Sequence, residues 1–187
     1  PGIRCFISIA SASKYPIGFF WPNLFKLPKG SAVNDYYFQL FSTLNMKFVF
    51  CLFKYFPFGG MQKNFMNMAI ECHKKGHEVT ALCGEWQGDK PENLNIQLFK
   101  PKGFSNHAKN KSLAEQFSKY IKQHDFDLVV GFNKMPGLDL YYAADGCYAT
   151  KSAEKNGYLY THTPRYKLSI AYEKAVFEKN NKTEILM

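Results

Sequence analysis

From residue 46 onward the chain alternates between short, near-continuous apolar runs and longer stretches whose apolar residues recur at helical spacing. Lys47-Phe48-Val49-Phe50-Cys51-Leu52-Phe53 is apolar at nearly every position, as a strand covered on both faces must be. A loop over 54–60 ends in Gly59-Gly60, after which Met61, Phe65, Met68, Ala69 and Cys72 fall at i, i+4, i+7, i+8 and i+11 and form one helical stripe. Lys74 and Lys75 suit the last turn of that helix, and Gly76 suits its end. The pattern then predicts strands over 77–83 and 94–99, a polar stretch around 84–93, and a basic loop over 100–111 before a helix near 112–123. Asp125 and Asp127 introduce a further strand over 128–132, and Met135-Pro136-Gly137 turns the chain into another over 138–143, which stops at Asp145. Residues 148–179 are mostly helical by pattern, Asn180-Asn181 reads as a turn, and 185–187 opens a strand, so the sequence breaks off in mid-fold.

Residues 1–45 show neither period and are rich in turn formers and aromatics. Met46 reads as the natural start, with 1–45 as an upstream extension and 46–187 as one truncated domain. A genuine amino-terminal arm is the other reading of that segment. The strand–helix alternation after Met46 predicts an α/β fold, a Rossmann-like parallel sheet flanked by helices and joined by right-handed crossovers. Such sheets bind ligands beyond the carboxyl ends of their strands, so loops 53–60, 131–137 and 144–148 are expected on one rim.

Charge narrows the choice of partners without fixing it. Lys and Arg number 24 against 15 Asp and Glu, a formal net charge of +9, which favours phosphate, nucleic acid or anionic lipid. Cys5, Cys51, Cys72, Cys83 and Cys147 form no CxxC pair and sit in apolar contexts, which predicts reduced core thiols. The five histidines, at 73, 77, 107, 124 and 162, make no recognisable metal-ligand pair with them. No run of eighteen apolar residues predicts a transmembrane helix, and prolines and lysines interrupt the first 45 residues too often for a signal peptide.

Gly59-Gly60 at a helix start allows backbone amides to approach an anion, with the helix dipole adding a favourable field; a simple tight turn uses the same residues. It is neither the GxGxxG dinucleotide fingerprint nor a Walker A loop. Asp125-Phe126-Asp127 is formally a DxD, but it precedes its strand and therefore belongs at the edge opposite the ligand rim, where a helix-to-strand turn explains it better than a metal. A serine hydrolase lacks its GxSxG elbow here, and no RNP-type or helix-turn-helix pattern supports nucleic-acid binding.

The string from Cys51 to Gln62, then Gly76-His77, Asn106-His107 and above all Gly131-Phe132-Asn133-Lys134-Met135-Pro136-Gly137-Leu138-Asp139 with Ala143-Ala144-Asp145 and Cys147-Tyr148, closely resembles the lipopolysaccharide core glucosyltransferases that add glucose to the first inner-core heptose. These are retaining, group-1 (family 4) glycosyltransferases of GT-B fold, and the resemblance runs from Met46 to the end of the chain. It implies transfer from UDP-glucose to a lipid-linked oligosaccharide, with no metal and no cofactor, by an enzyme peripheral to the cytoplasmic face of the inner membrane. It places the donor's diphosphate or sugar at Gly59 and Gly60, Asp145 and more weakly His107 near the reacting sugar, and Gln62, Asn64, Asn133 and Lys134 on the acceptor side. Asp145 is open to a helix-capping role and His107 to that of a surface histidine. Where relatives carry an acidic residue after Gln-Arg, this chain has Gln62-Lys63-Asn64, which puts an acid/base role there in doubt. The residues that grip the nucleotide belong, by the same resemblance, to a second domain, so the chain by itself is expected to be inactive. A non-catalytic basic module that binds anions or membranes is the alternative function.

Over 148–177, Lys151, Lys155, Arg165, Lys167 and Lys174 are interleaved with Tyr148, Tyr158, Tyr160, Tyr166, Tyr172 and Phe177. Cations beside interfacial aromatics suit docking on anionic headgroups. Leu168, Tyr172 and Ala175 also make an ordinary core stripe, so composition leaves both readings standing, and the lipid-linked acceptor implied by the resemblance favours docking.

Overall fold

A computed structural model describes residues 45–155, 158–179 and 181–186. The chain divides into two units, and all of the described residues except Asn45 belong to the second, Met46–Met187. That unit is an α/β sandwich built on one six-stranded sheet in which every pairing is parallel. In chain order the elements are β1 (Lys47–Tyr55), α1 (Gly60–Lys74), β2 (Glu78–Trp86), β3 (Asn95–Leu98), α2 (Asn106–Gln123), β4 (Leu128–Gly131), β5 (Leu140–Tyr142), α3 (Tyr148–Lys155), a 3-10 turn (Tyr158–His162), α4 (Pro164–Phe177) and β6 (Glu184–Leu186).

The spatial order is β3-β2-β1-β4-β5-β6, so the first strand lies at the centre and the chain grows outward on one side before crossing to the other. β1 pairs with β2 from Lys47↔Glu78 to Tyr55↔Trp86, and with β4 from Phe48↔Leu128 to Cys51↔Gly131. A crevice opens where the order reverses, between β1 and β4 at their carboxyl ends.

Alternation along β1 sends its side chains into two cores. Phe50 turns to α1, where its ring meets Phe65 at 6.0 Å and Phe132 at 5.8 Å. Val49 and Cys51 turn to the opposite face and pack with Leu113, Ala114 and Phe117 of α2 and Val176 of α4. Burial pushes the thiols of Cys72 and Cys83 up to about 12, and raises Cys51 as well, as expected of apolar core thiols.

Several expectations need correction. α2 starts at Asn106 rather than near 112, because Ser105 caps it: the Ser105 hydroxyl accepts the Ala108 amide at 3.3 Å. The basic stretch 106–111 is therefore helix. On α1, Met61 is only partly buried and Gln62 occupies the buried position. β5 is shorter than 138–143, with Leu138 buried in the turn before it. Cys147 is exposed rather than part of the core, because it falls in the rim loop after β5. Cys5, like the rest of residues 1–44, Asn180 and Met187 lie outside the described residues.

Asp125 and Asp127 fall at the amino edge. The Asp127 carboxylate accepts the Lys47 amide at 2.8 Å while the Asp127 amide donates to the Lys47 carbonyl at 2.8 Å, bracing the starts of β1 and β4. Gly76 ends α1 at φ 85°, the left-handed conformation in which a side chain is strained.

Candidate functional site

The loops after β1, β4 and β5 meet on the carboxyl rim, and side-chain bonds tie them together. Asn133, two residues beyond β4, accepts the Phe53 amide of β1 at 2.7 Å. Lys134 follows and donates to the Gly146 carbonyl in the loop after β5, at 3.1 Å. Beneath these loops lies a cavity of about 560 Å³ between the sheet, the first turn of α2 and the first turn of α4. His107 and Asn110 line it from α2, Asn133 and Lys134 from the β4 loop, Asp145 from the β5 loop and Arg165 from α4.

These groups differ in how committed they are. Asp145 is exposed and makes no hydrogen bond or ion pair among the described residues, leaving both carboxylate oxygens available to a ligand. His107 is half-buried, with Nε2 3.1 Å from the Ser105 hydroxyl, which fixes the ring at the mouth of the cavity. Arg165 is exposed and makes no ion pair among the described residues, whereas Lys134 is spent on one.

That pair was not foreseen. Glu173, on α4 and 7% exposed, takes the Lys134 ammonium at 2.5 Å. The same carboxylate accepts the Tyr148 amide at 2.7 Å and the Ala149 amide at 2.9 Å, and the Cys147 thiol lies 3.5 Å away. Burial by itself would raise its pKa; the Lys134 bond and the two amides outweigh burial and hold the carboxyl below its ordinary value. The position had no local signature, because a glutamate next to Lys174 inside a helical pattern reads as solvated surface. Asn110 and Ser169 also line the cavity without having been singled out, and the capping potential of Ser105 was the signal that would have put Asn110 on a helix.

Gly59 and Gly60 stand on the same rim but do not line this cavity. Gly59 is the N-cap of α1 and Gly60 its first residue; no side chain caps the helix and no acidic residue occupies its first turn. A Cβ at Gly60 would meet nothing within 4 Å, whereas one at Gly59 would come within 2.8 Å of the Phe56 ring. The space beside Gly60 is thus open, while the Gln62 side chain and the Phe56 ring close in on Gly59, and Phe58 next to them is 88% exposed. Gln62 is buried and donates to the Lys54 carbonyl at 3.3 Å, bracing the loop from within. Asn64 donates to the Tyr142 hydroxyl at 2.5 Å, linking α1 to the end of β5 outside the cavity.

Of the segment expected to face a membrane, the Tyr148 and Tyr160 hydroxyls are 2.6 Å apart, and Tyr166 packs at 6.0 Å from the Tyr160 ring. The three rings are thus partly occupied with one another. Lys167 and Leu159 are exposed, the latter at 83%, and Arg165 is shared with the cavity. The side chains of Lys151, Lys155 and Tyr158 lie outside the described residues. None of the described helices is long and apolar enough to cross a membrane.

The family profile for glycosyltransferase family 4 matches residues 58–172. The lipopolysaccharide glucosyltransferase WaaG of Escherichia coli (strain K12) is 44% identical over 138 residues, which cover 74% of this chain and 37% of that protein. A crystal structure of WaaG, described as a glycosyltransferase involved in lipopolysaccharide biosynthesis, superposes with a TM-score of 0.73 at 44% identity, covering 75% of this chain and 38% of that one. The chain thus spans less than two-fifths of the length of the relatives it matches.

Proposed function

Because the chain belongs to glycosyltransferase family 4, we propose that it forms the acceptor-side half of a GT-B enzyme that moves glucose from UDP-glucose to an inner-core heptose of lipopolysaccharide, with retention. The observation that carries this reading is the meeting of Asp145, His107, Asn133 and Arg165 around one cavity at the point where the strand order reverses, beside a glycine-opened helix start.

In a retaining transfer of this kind the acceptor hydroxyl attacks from the face that the diphosphate leaves, so the protein mainly positions both groups and stabilises negative charge. The start of α1 at Gly60 suits the donor's diphosphate or sugar, since the space beside that residue is open and the positive end of the helix dipole favours an anion. Asp145 suits a hydroxyl of the reacting sugar, because its carboxylate is uncommitted, with His107 a second candidate there. Asn133 and Lys134 shape the acceptor side through their bonds to neighbouring loops, and Gln62 and Asn64 support it at a distance. The nucleotide grip and the remaining cations belong to a second domain, and the reading requires neither a metal nor a cofactor. With a lipid-linked acceptor, the enzyme works peripherally at the cytoplasmic face of the inner membrane, where Arg165, Lys167 and Leu159 are available to headgroups.

Transfer kinetics on the full-length protein, with radiolabelled UDP-glucose and a heptose-terminated acceptor, test the reading. Asp145→Asn is expected to lower kcat by about 100-fold, and Gly60→Ala to raise the donor KM while the fold is kept. Full activity in both variants, or transfer with inversion at the anomeric carbon, sinks the proposal.

A further inference from the structure

Each helix start needs acceptors for its first amides. α2 and α4 find them locally, in the hydroxyls of Ser105 and Thr163. α3 does not, because the residue before it is Cys147, whose thiol is a poor cap. Its Tyr148 and Ala149 amides are taken instead by the Glu173 carboxylate, reaching across from α4. Lys134 completes the arrangement by bonding both Glu173 and the Gly146 carbonyl.

The stretch from Gly146 to Ala149, where the turn after β5 enters α3, is therefore held by one buried ion pair. Asp145 sits in that turn, immediately before Gly146, and among the described residues no hydrogen bond or ion pair of its own holds its side chain. We infer that Glu173 is a positioning residue for Asp145: paired with Lys134, it fixes the backbone over 145–149 so that the Asp145 carboxylate stays at the cavity. The inference rests on the proposed function, which gives Asp145 its place beside the reacting sugar. Glu173 itself does not line the cavity, so it acts through the turn and not on a ligand.

A double-mutant cycle in transfer kinetics on the full-length protein separates positioning from plain stabilisation. Glu173→Gln keeps the side-chain size and one carbonyl oxygen but breaks the ion pair. A displaced reacting group costs roughly 10- to 100-fold, so Glu173→Gln is expected to lower kcat by that factor while the donor KM stays within about two-fold. In the Asp145→Asn background the same change is expected to cost almost nothing further, since the group being positioned is already gone. Rates are normalised to folded protein by near-ultraviolet circular dichroism. If Glu173→Gln fails to fold, Glu173→Asp, which keeps the charge for Lys134 but shortens the reach to the Tyr148 and Ala149 amides, takes its place in the cycle. Losses that multiply in the double variant overturn the positioning role while leaving the glucosyltransferase reading intact. Wild-type protein that transfers no glucose overturns that reading, and this inference with it.

Discussion

Gly84 sets how closely α2 lies on the sheet, and its replacement by alanine gives a prediction that can be worked from distances. The residue sits in β2 opposite Leu113 of α2, which is 3% exposed. A Cβ there would stand 2.5 Å from Leu113 Cδ1, 2.9 Å from Leu113 Cδ2 and 2.8 Å from the Phe53 carbonyl oxygen. Carbon contacts are comfortable near 3.5–4.0 Å, so about 1 Å of separation must be found. Leu113 is a buried member of the core cluster that includes Phe117, Val129 and Tyr141, and the Phe53 oxygen belongs to the backbone of β1, so neither yields easily. Overpacking of this kind costs about 1–3 kcal/mol, offset by roughly 0.4–1 kcal/mol from the stiffer unfolded chain. The net loss, about 1.3 kcal/mol at the middle of these ranges, corresponds to a Tm lower by roughly 3–6 °C for a unit of this size. Thermal and urea unfolding followed by circular dichroism measure it, with Gly60→Ala as a control, since a Cβ there meets nothing within 4 Å. Because α2 also carries His107, an outward shift of the helix should weaken transfer as well. A Gly84→Ala protein that melts at or above the wild-type temperature refutes the packing argument.

Three other outcomes are expected. The Tyr141 hydroxyl is buried without a hydrogen-bond partner among the described residues, and burial raises its pKa, so Tyr141→Phe should leave stability unchanged or raise it by about 1 kcal/mol; a loss larger than that in urea titrations counts against the assignment. The Glu173 carboxyl titrates below its ordinary value when folded, so its contribution is complete above about pH 4.3 and fades as pH falls through the lower folded value. The Tm gap between wild type and Glu173→Gln should accordingly be constant at neutral pH and shrink on acidification, and a gap that widens there contradicts the sign. The full-length protein should sediment with vesicles containing anionic lipid and release in high salt, with Arg165→Gln/Lys167→Gln weakening the binding; equal binding to neutral vesicles sinks the docking reading.

The central strands were legible because burial on both faces removes polar residues from them: Phe48–Leu52 and Leu128–Val130 carry none. The shared rim followed from parallel topology, and the bonds from Asn133 to Phe53 and from Lys134 to Gly146 bear it out. The start of α2 was misplaced because Asn106-His107-Ala108-Lys109-Asn110-Lys111 has weak helical propensity and no apolar stripe, so only the cap at Ser105 reveals it. Glu173 was illegible for a different reason: its partners lie 24 to 39 residues away in sequence, and only tertiary packing brings them together. Gln62 was expected on the acceptor side, and its burial beneath the loop was not legible because the Lys54 carbonyl it bonds is brought to it only by the fold.

The reciprocal bonds between Lys47 and Asp127 also have a practical use. They make the neighbouring turn, with His124 and Asp125 exposed, a firm attachment point on the far side of the sheet from the ligand rim. Six steps along β1 lead from Lys47 to Phe53 at the cavity wall, roughly 20 Å at about 3.3 Å per residue. A dye or surface tether grafted at Asp125 would therefore report on the molecule, or immobilise it, while leaving the crevice unobstructed.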